Sequence, residues 1–292
     1  MTSAAPPQAA GVMFCGDKPL DLSTPQLMGV LNITPDSFSD GGQLYRDGEL
    51  RADVLCRRAE AMVDAGVAVL DIGGESTRPG ATAVSEQEEL DRVLAALAVI
   101  ESRFDAIISL DTSSPRVITE GAAAGAAVIN DVRALRRPGA LEAAAAAGLP
   151  VCLMHMRGEP GDMQDQPHYD SVVDEVSTFF AERIKAVELA GIPRSRVLLD
   201  PGFGFGKTPE HNFTLLRRLG EFLVLGCPLA VGLSRKSMIA SVIDRTMDQR
   251  VSASIALALM AAERGARLLR VHDVRESSDA LAMLTAMEQV GL

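Results

Sequence analysis

Eight short apolar runs punctuate the chain, and each gives way to polar or ionisable residues at its carboxyl end. They are Leu27–Thr34, Val67–Gly74, Ala106–Thr112, Ala126–Val132, Pro150–Met156, Val197–Gly204, Pro228–Lys236 and Ala266–Val274. Continuous rather than alternating hydrophobicity is what a strand buried on both faces requires, and such strands belong to parallel sheets covered by helices. Eight of them, with helical stretches between, predict an α/β fold: a single-domain (β/α)8 TIM barrel. In that fold the reacting groups lie on the loops at the carboxyl ends of the strands. The pattern therefore marks Asn32, Asp71, Asp111, Asn130, His155, Asp200, Lys236 and His272 as the rim.

The connecting segments carry helix signals. Ser85-Glu86-Gln87-Glu88 reads as a capping box, and Pro115 and Pro209 stand at first helical positions, Pro209 behind a cap at Thr208. Gly66, Gly125 and Gly148 follow helical stretches as chain reversals. Leu55, Ala59, Met62 and Val63 form the barrel-facing stripe of the first helix. Val251–Ala262 is apolar on nearly every side, which predicts a helix buried on two faces and a subunit interface, hence a homodimer. Long connections follow the first two strands (Pro35–Gly48 and Glu75–Ala83) and the fifth (Arg157–Tyr169), as loops that close over substrate do. Residues 1–25, opening on Ala, Pro and Gln, read as a mobile tail ahead of one barrel domain, 26–292.

Composition agrees. The chain has 292 residues, of which 47% are hydrophobic, enough for one large core. No apolar run approaches the roughly 20 residues that span a bilayer. The amino terminus lacks the basic start and apolar stretch of a secretory signal, and Cys15, Cys56, Cys152 and Cys227 have no zinc-type spacing. Reduced thiols and a cytoplasmic location are expected. A net charge of −11 argues against nucleic acid or an anionic membrane as partner. Positive charge nevertheless gathers at strand ends, at Arg78, Lys207, Arg235, Lys236, Arg270 and His272, which predicts a small anionic ligand.

The segment Pro201–Thr208 resembles a phosphate-binding loop, but that motif needs glycine where Pro201 stands, and the glycines run GxGxG, not as a dinucleotide fingerprint. It reads instead as a tight loop behind Asp200, with Lys207 as a salt-bridge partner. The four histidines lack metal-cluster spacing. Asn32 offers one neutral oxygen, suited to Mg²⁺ held mostly by water and substrate phosphate. Asp111, Asn130 and Asp200 present short polar groups toward one axis. Buried carboxylates are costly unless bonded, so the set suits a flat heterocycle bearing several N–H groups.

These residues lie in segments that resemble the dihydropteroate synthase family of pterin-binding proteins. The segments are Met28–Gly42 (MGVLNITPDSFSDGG), Asp71–Ala81 (DIGGESTRPGA), Ser109–Val117 (SLDTSSPRV), Ile129–Val132 (INDV), Leu153–Gly158 (LMHMRG), Leu199–Thr208 (LDPGFGFGKT), Gly232–Ser237 (GLSRKS) and Leu269–Val274 (LRVHDV). They touch all eight runs in order. The resemblance implies a transferase of folate biosynthesis, a sulfonamide target, that joins 7,8-dihydropterin-6-ylmethyl diphosphate to p-aminobenzoate with Mg²⁺ present. By the same resemblance Asp111, Asn130, Met154, Asp200, Phe205, Gly232 and Lys236 hold the pterin, and Asn32, Arg270 and His272 hold the diphosphate, Asn32 also the Mg²⁺. Phe38, Thr77, Arg78, Pro79 and Ser237 form the p-aminobenzoate side. Asp111, Asp200, Lys236, Arg270 and His272 carry the chemistry. Many members have lysine where Ser114 stands, a departure with no catalytic consequence.

Two rivals share part of this pattern. Pterin-binding methyltransferases use the same strand-end Asp and Asn set, but their reaction involves neither an arylamine carboxylate nor diphosphate, which the STRPG and SRKS segments fit. A binding-only paralogue would have lost part of the diphosphate or second-loop set, and none is missing from this sequence.

Overall fold

The computed structural model describes residues 11–34, 44–46, 49–76, 84–158, 163 and 167–290. The chain opens on an antiparallel hairpin, β1 (Val12–Cys15) and β2 (Lys18–Asp21), then enters β3 (Gln26–Asn32). A two-residue pair, β4 (Tyr45–Arg46) and β5 (Glu49–Leu50), precedes α1 (Ala52–Asp64). Then come β6 (Val69–Gly73), α2 (Glu86–Glu101), β7 (Ile107–Asp111), α3 (Pro115–Ala123), β8 (Val128–Asp131), α4 (Ala140–Ala147) and β9 (Val151–Met154). The chain continues through α5 (Val172–Leu189), β10 (Val197–Asp200), α6 (Pro209–Arg217), β11 (Leu229–Val231), α7 (Ser237–Ala240), α8 (Val251–Glu263), β12 (Ala266–Val271) and α9 (Val274–Glu288). Among the described residues, β3 and β6 through β12 close a parallel barrel in which sequential strands are neighbours and β12 returns to β3. Each of the eight apolar runs coincides with one barrel strand, β3 beginning one residue ahead of its run at Gln26.

The runs are continuous because the two faces of each strand are buried against different partners. Leu27, Leu70, Ile108, Ile129, Leu153, Leu199 and Leu269 pack outward against the helices. The inward set begins with Met28, Val69, Ile107, Val128, Cys152, Leu198, Ala230 and Leu268. Side chains alternate faces with a period of two, so two or four residues further on the same inward face carries Asn32, Asp71, Ser109, Asp111, Asn130, Asp200 and Arg270. The barrel interior thus changes from apolar to polar along its axis, and the polar layer lies at the carboxyl ends.

The hairpin replaces the mobile tail expected over residues 11–25; the rest of that tail, residues 1–10, lies outside the described residues. Met13, Cys15, Leu20 and Leu22 are each at most 4% exposed and pack on the lower apolar layer, closing the amino end of the barrel. The turn is Gly16-Asp17, with Gly16 at φ +64, the left-handed backbone that a two-residue hairpin loop demands. Two four-residue strands cannot stand alone, and the open end of the barrel supplies the missing partner surface.

The helix signals hold with two adjustments. Ser85 and Thr208 cap α2 and α6, and Pro115 and Pro209 open α3 and α6. In α2 only half of the capping box forms, because Glu88 turns to Arg92 instead of back to the cap. Leu55, Ala59 and Met62 are buried, whereas Val63 falls off the stripe and is exposed. In α8 one face is buried, through Ser254, Leu257, Ala258, Ala261 and Ala262, and Met260 on the outer side is 44% exposed.

Candidate active site

The polar layer is organised by one guanidinium. Arg270, on β12, donates through Nε to Oδ2 of Asp71 at 2.6 Å and through Nη2 to Oδ2 of Asp111 at 2.7 Å. Asp71, in the middle of β6 rather than at its end, is fully buried and also accepts from Nδ2 of Asn130, at 3.3 and 3.4 Å. Asp111 and Asn130 are register partners on β7 and β8. One ion-pair network therefore joins four strands across the barrel. Burial, and then the Asp71 charge, push the Asp111 carboxyl up to about 7 against the opposing pull of Arg270. Burial alone would lower the Arg270 guanidinium, but the two carboxylates more than compensate and raise it.

Asp200 ends β10. Its Oδ1 accepts the Gly202 backbone N–H at 2.8 Å, and burial raises its pKa. The chain then bends through Gly202, Gly204 and Gly206, all at positive φ. A Cβ at Gly202 would collide with the His155 carbonyl, and one at Gly206 with that of Arg157, so only glycine permits this approach to the loop after β9. The bend presents Phe205, whose ring packs with Val132, Met154, Met156 and Met163. Lys236 Nζ lies 4.2 Å from the Phe205 ring centroid, a cation–π contact that sets the ammonium over this apolar wall.

Lys236 is not on a strand: it precedes α7 as its cap residue, five positions beyond β11. The turn that brings it inward is unusual, because Arg235 adopts φ +59 without being glycine. That conformation costs roughly 1–2 kcal/mol. It is held by a paired contact of the Arg235 guanidinium with Asp273, Nε to Oδ2 at 3.0 Å, and by the Arg235 N–H donating to Ser254 Oγ at 2.9 Å. Asp273 follows His272, so the same pair ties the Lys236 turn to the end of β12. His272 accepts or donates through Nδ1 with Ser234 Oγ at 3.0 Å, and its backbone N–H donates to the same hydroxyl. Gly232 faces Arg270: a Cβ there would touch its Cβ and Cδ at 3.9 and 4.0 Å, so the bare glycine leaves that wall open.

The structure thus gathers Asp111, Asn130, Met154, Asp200, Phe205, Gly232, Lys236, Arg270 and His272 around the carboxyl mouth. Ser237 is exposed as the first residue of α7. Phe38, Thr77, Arg78 and Pro79 lie outside the described residues. Two strand-end expectations change. His155 falls one residue out of phase with Met154 and points away from the axis, with its ring edge-on to Phe179 at 4.9 Å. Burial, with the Lys207 charge next to it, lowers its pKa to about 2, so it is neutral. Lys207 is 3% exposed, and its hydrogen bonds go to carbonyl oxygens and to His155 rather than to Asp200. Neither Lys207 nor Arg235 therefore adds free charge to the rim. The apolar-run pattern marks Asp71 without giving it a role, and nothing in the sequence singles out Ser234. The signal for Asp71 was available: it shares the inward parity of Val69, the apolar residue two positions before it.

Asn32 closes β3. Its Oδ1 and the Oδ2 of Asp111 lie over Gly73, 3.6 and 3.7 Å from where a Cβ would stand. No group of three or more His, Cys, Asp or Glu able to hold a metal occurs among the described residues. One neutral oxygen beside one carboxylate fits a hard cation that draws most ligands from water and substrate, and does not fit a tightly held transition metal.

Residues 28–272 match the family described as pterin binding enzyme. The dihydropteroate synthase of Escherichia coli (strain K12) is 51% identical over 274 residues, covering 94% of this chain and 95% of that protein. A Yersinia pestis dihydropteroate synthase in complex with a sulfonamide drug superposes with TM-score 0.92 at 49% identity, covering 96% of this chain and all of that one. Xanthomonas albilineans dihydropteroate synthase in complex with 7,8-dihydropteroate gives TM-score 0.85 at 43% identity, covering 96% of this chain and 99% of that one. With the barrel, the ionic layer at its carboxyl mouth and these likenesses in agreement, the chain belongs to the dihydropteroate synthase family of pterin-binding enzymes.

Proposed function

We propose that this chain condenses 7,8-dihydropterin-6-ylmethyl diphosphate with p-aminobenzoate, releasing diphosphate and forming 7,8-dihydropteroate. The observation that carries the reading is the convergence of Asp111, Asn130, Asp200 and Lys236 beside Arg270 and His272 above an apolar floor. The carboxylates and the Asn130 amide match the N–H and acceptor edge of a pterin, and Met154 and Phe205 supply a flat apolar wall. Arg270 uses two of its five N–H groups on carboxylates, which aims the guanidinium while leaving donors for an anion.

The C–O bond to diphosphate breaks as the pterin ring delocalises the positive charge left on its methylene carbon. Asp111 and Asp200 stabilise that cation, while Arg270 and His272 take up the charge that grows on the leaving oxygen. The arylamine nitrogen then bonds to the methylene carbon and loses a proton to water. The amine is neutral near pH 7, so no strong base and no covalent enzyme intermediate is required. Mg²⁺, when bound beside Asn32, would neutralise diphosphate charge. Phe38, Thr77, Arg78, Pro79 and Ser237 are assigned to p-aminobenzoate by family resemblance.

We further place the enzyme in the cytoplasm as a homodimer. Its cysteines are free, and no helix among the described residues is long and apolar enough to cross a membrane. The stretch Val251–Ala262 has no charged residue, and Met260, Met283 and Met287 on α8 and α9 are 44%, 69% and 60% exposed. Sedimentation of the purified protein at micromolar concentration tests the dimer.

The reaction is tested by following diphosphate and dihydropteroate together, with and without p-aminobenzoate and Mg²⁺. Equal amounts of both products, lost when either is omitted, support the synthase. Pterin binding by folded protein without either product identifies a binding-only paralogue instead.

A further inference from the structure

The Lys207 ammonium has no place in the reaction above, yet it is among the most enclosed charges in the molecule. Nζ donates to the carbonyl oxygens of Gly202 at 2.9 Å, Phe205 at 3.0 Å and His155 at 3.3 Å, and lies 2.9 Å from Nδ1 of His155. Since an ammonium has only protons to offer, Nδ1 is the acceptor and His155 carries its proton on Nε2. These four groups come from two different rim connections, those after β9 and β10. The glycine-rich bend is what makes the cage: left-handed backbone at Gly202, Gly204 and Gly206 turns the intervening carbonyls toward one point. A backbone turned this way has no helix or sheet partner for those carbonyls. Asn212 secures the outer side of the bend, its Oδ1 accepting the Gly204 N–H at 2.8 Å, and the buried Tyr169 hydroxyl donates to the Gly206 carbonyl at 2.8 Å.

We propose that Lys207 is a positioning residue for the pterin face, its ammonium holding the glycine-rich connection in the shape that sets Phe205 under Lys236 and Asp200 toward the barrel axis. The proposal rests on the reading of Asp200, Phe205 and Lys236 as pterin-binding residues. The links are short. Phe205 gives its carbonyl to Lys207 and its ring to Lys236, and Gly202 gives its carbonyl to Lys207 and its N–H to Asp200. Losing the ammonium leaves at least two buried carbonyls unpaired and frees both ends of the pterin wall at once. Burial disfavours the Lys207 charge, lowering its pKa to about 7, and the Asp200 charge supports it.

A double-mutant cycle tests this, using Lys207→Met, Phe205→Leu and the pair, with steady-state KM for the dihydropterin diphosphate as readout. Wild-type product formation, measured first, tests the functional reading by itself. If Lys207 acts through Phe205, Lys207→Met raises the pterin KM about tenfold or more alone, the loss expected for one charge-assisted hydrogen-bonded group. In the Phe205→Leu background the same change adds less than about twofold. Additive effects, or an unchanged pterin KM in folded Lys207→Met, overturn the proposal. Should Lys207→Met fail to fold, Lys207→Gln, which removes the charge and one of the three donors, takes its place; a pterin KM raised about threefold or more alone and less than about twofold in the Phe205→Leu background supports the proposal, and an unchanged or additive KM overturns it.

Discussion

Replacing Asp71 by asparagine tests the central claim, that one buried carboxylate sets both the aim of Arg270 and the protonation of Asp111. The substitution keeps shape and an acceptor for Arg270 Nε but removes a charge. Asp71 and Asp111 are bridged by a single guanidinium through bonds of 2.6 and 2.7 Å. A fork of that size places the two carboxylates roughly 5 Å apart. At that separation, with an effective dielectric of about 20, two unit charges repel by roughly 3 kcal/mol. That would be about two pH units on Asp111 if nothing rearranged. With Arg270 free to shift toward Asp111, a downward movement of about one to two units is expected.

The sign follows from Asp111 being held at about 7, above its ordinary value, by burial and then by Asp71. In the wild-type protein, steps that need ionised Asp111 rise as pH passes through about 7. In Asp71→Asn that rise lies at lower pH. Maximal turnover falls about a hundredfold if the guanidinium is misplaced by 1 Å. The assay is dihydropteroate formation under saturating substrates from pH 5.5 to 8.5, with unfolding monitored in urea at each pH. Stability should drop by about 1–2 kcal/mol, because a neutral acceptor replaces a charged one, whereas Asp71→Ala leaves both Arg270 Nε and the Asn130 amide without their buried acceptor and costs about 3–5 kcal/mol. An unshifted pH–rate profile with wild-type turnover would refute the reasoning.

Three further outcomes follow from the same structure. Leu20→Ala removes a side chain only 2% exposed from the hairpin plug and should cost about 2–5 kcal/mol in urea unfolding, with turnover per folded molecule unchanged; equal stability would show that the plug does not anchor the barrel. His155, lowered to about 2 by burial and by Lys207, is neutral when folded and binds a proton only when unfolded, so its stability contribution is complete above about 6.5 and is lost as pH falls toward 2. Calorimetry should find up to about 1.4 kcal/mol lost per pH unit below 6.5 on this account, and His155→Gln should flatten that slope. Chelation of divalent metal should abolish diphosphate release while leaving the melting temperature of the substrate-free enzyme unchanged, since the described residues hold no metal cluster; a fall in melting temperature would reveal a resident structural ion.

The eight runs were legible because a strand covered on both faces must be apolar at every position, whatever its neighbours. Helix caps at Ser85 and Thr208 and the glycine-rich bend after Asp200 were legible for the same reason: backbone conformation answers to the residues within one turn of it. The inward parity of Asp111, Asn130, Asp200 and Arg270 could also be read, since each follows an inward apolar residue at a spacing of two or four. What the linear chain withheld were relations between strands. Arg270 meets Asp71 across 199 positions, and nothing local distinguishes a guanidinium aimed at two carboxylates from one free for an anion. The hairpin at residues 12–21 was hidden because its short strands acquire stability only from the barrel floor. Lys207 and Arg235 looked like rim charges until folding turned one into a carbonyl cage and the other onto Asp273. Local sequence determined which segments become strands and helices, because propensity and burial pattern act at short range. Closure of the barrel decided which polar groups share a charge, a proton or a ligand, because electrostatic and packing partners are chosen by distance in space rather than along the chain.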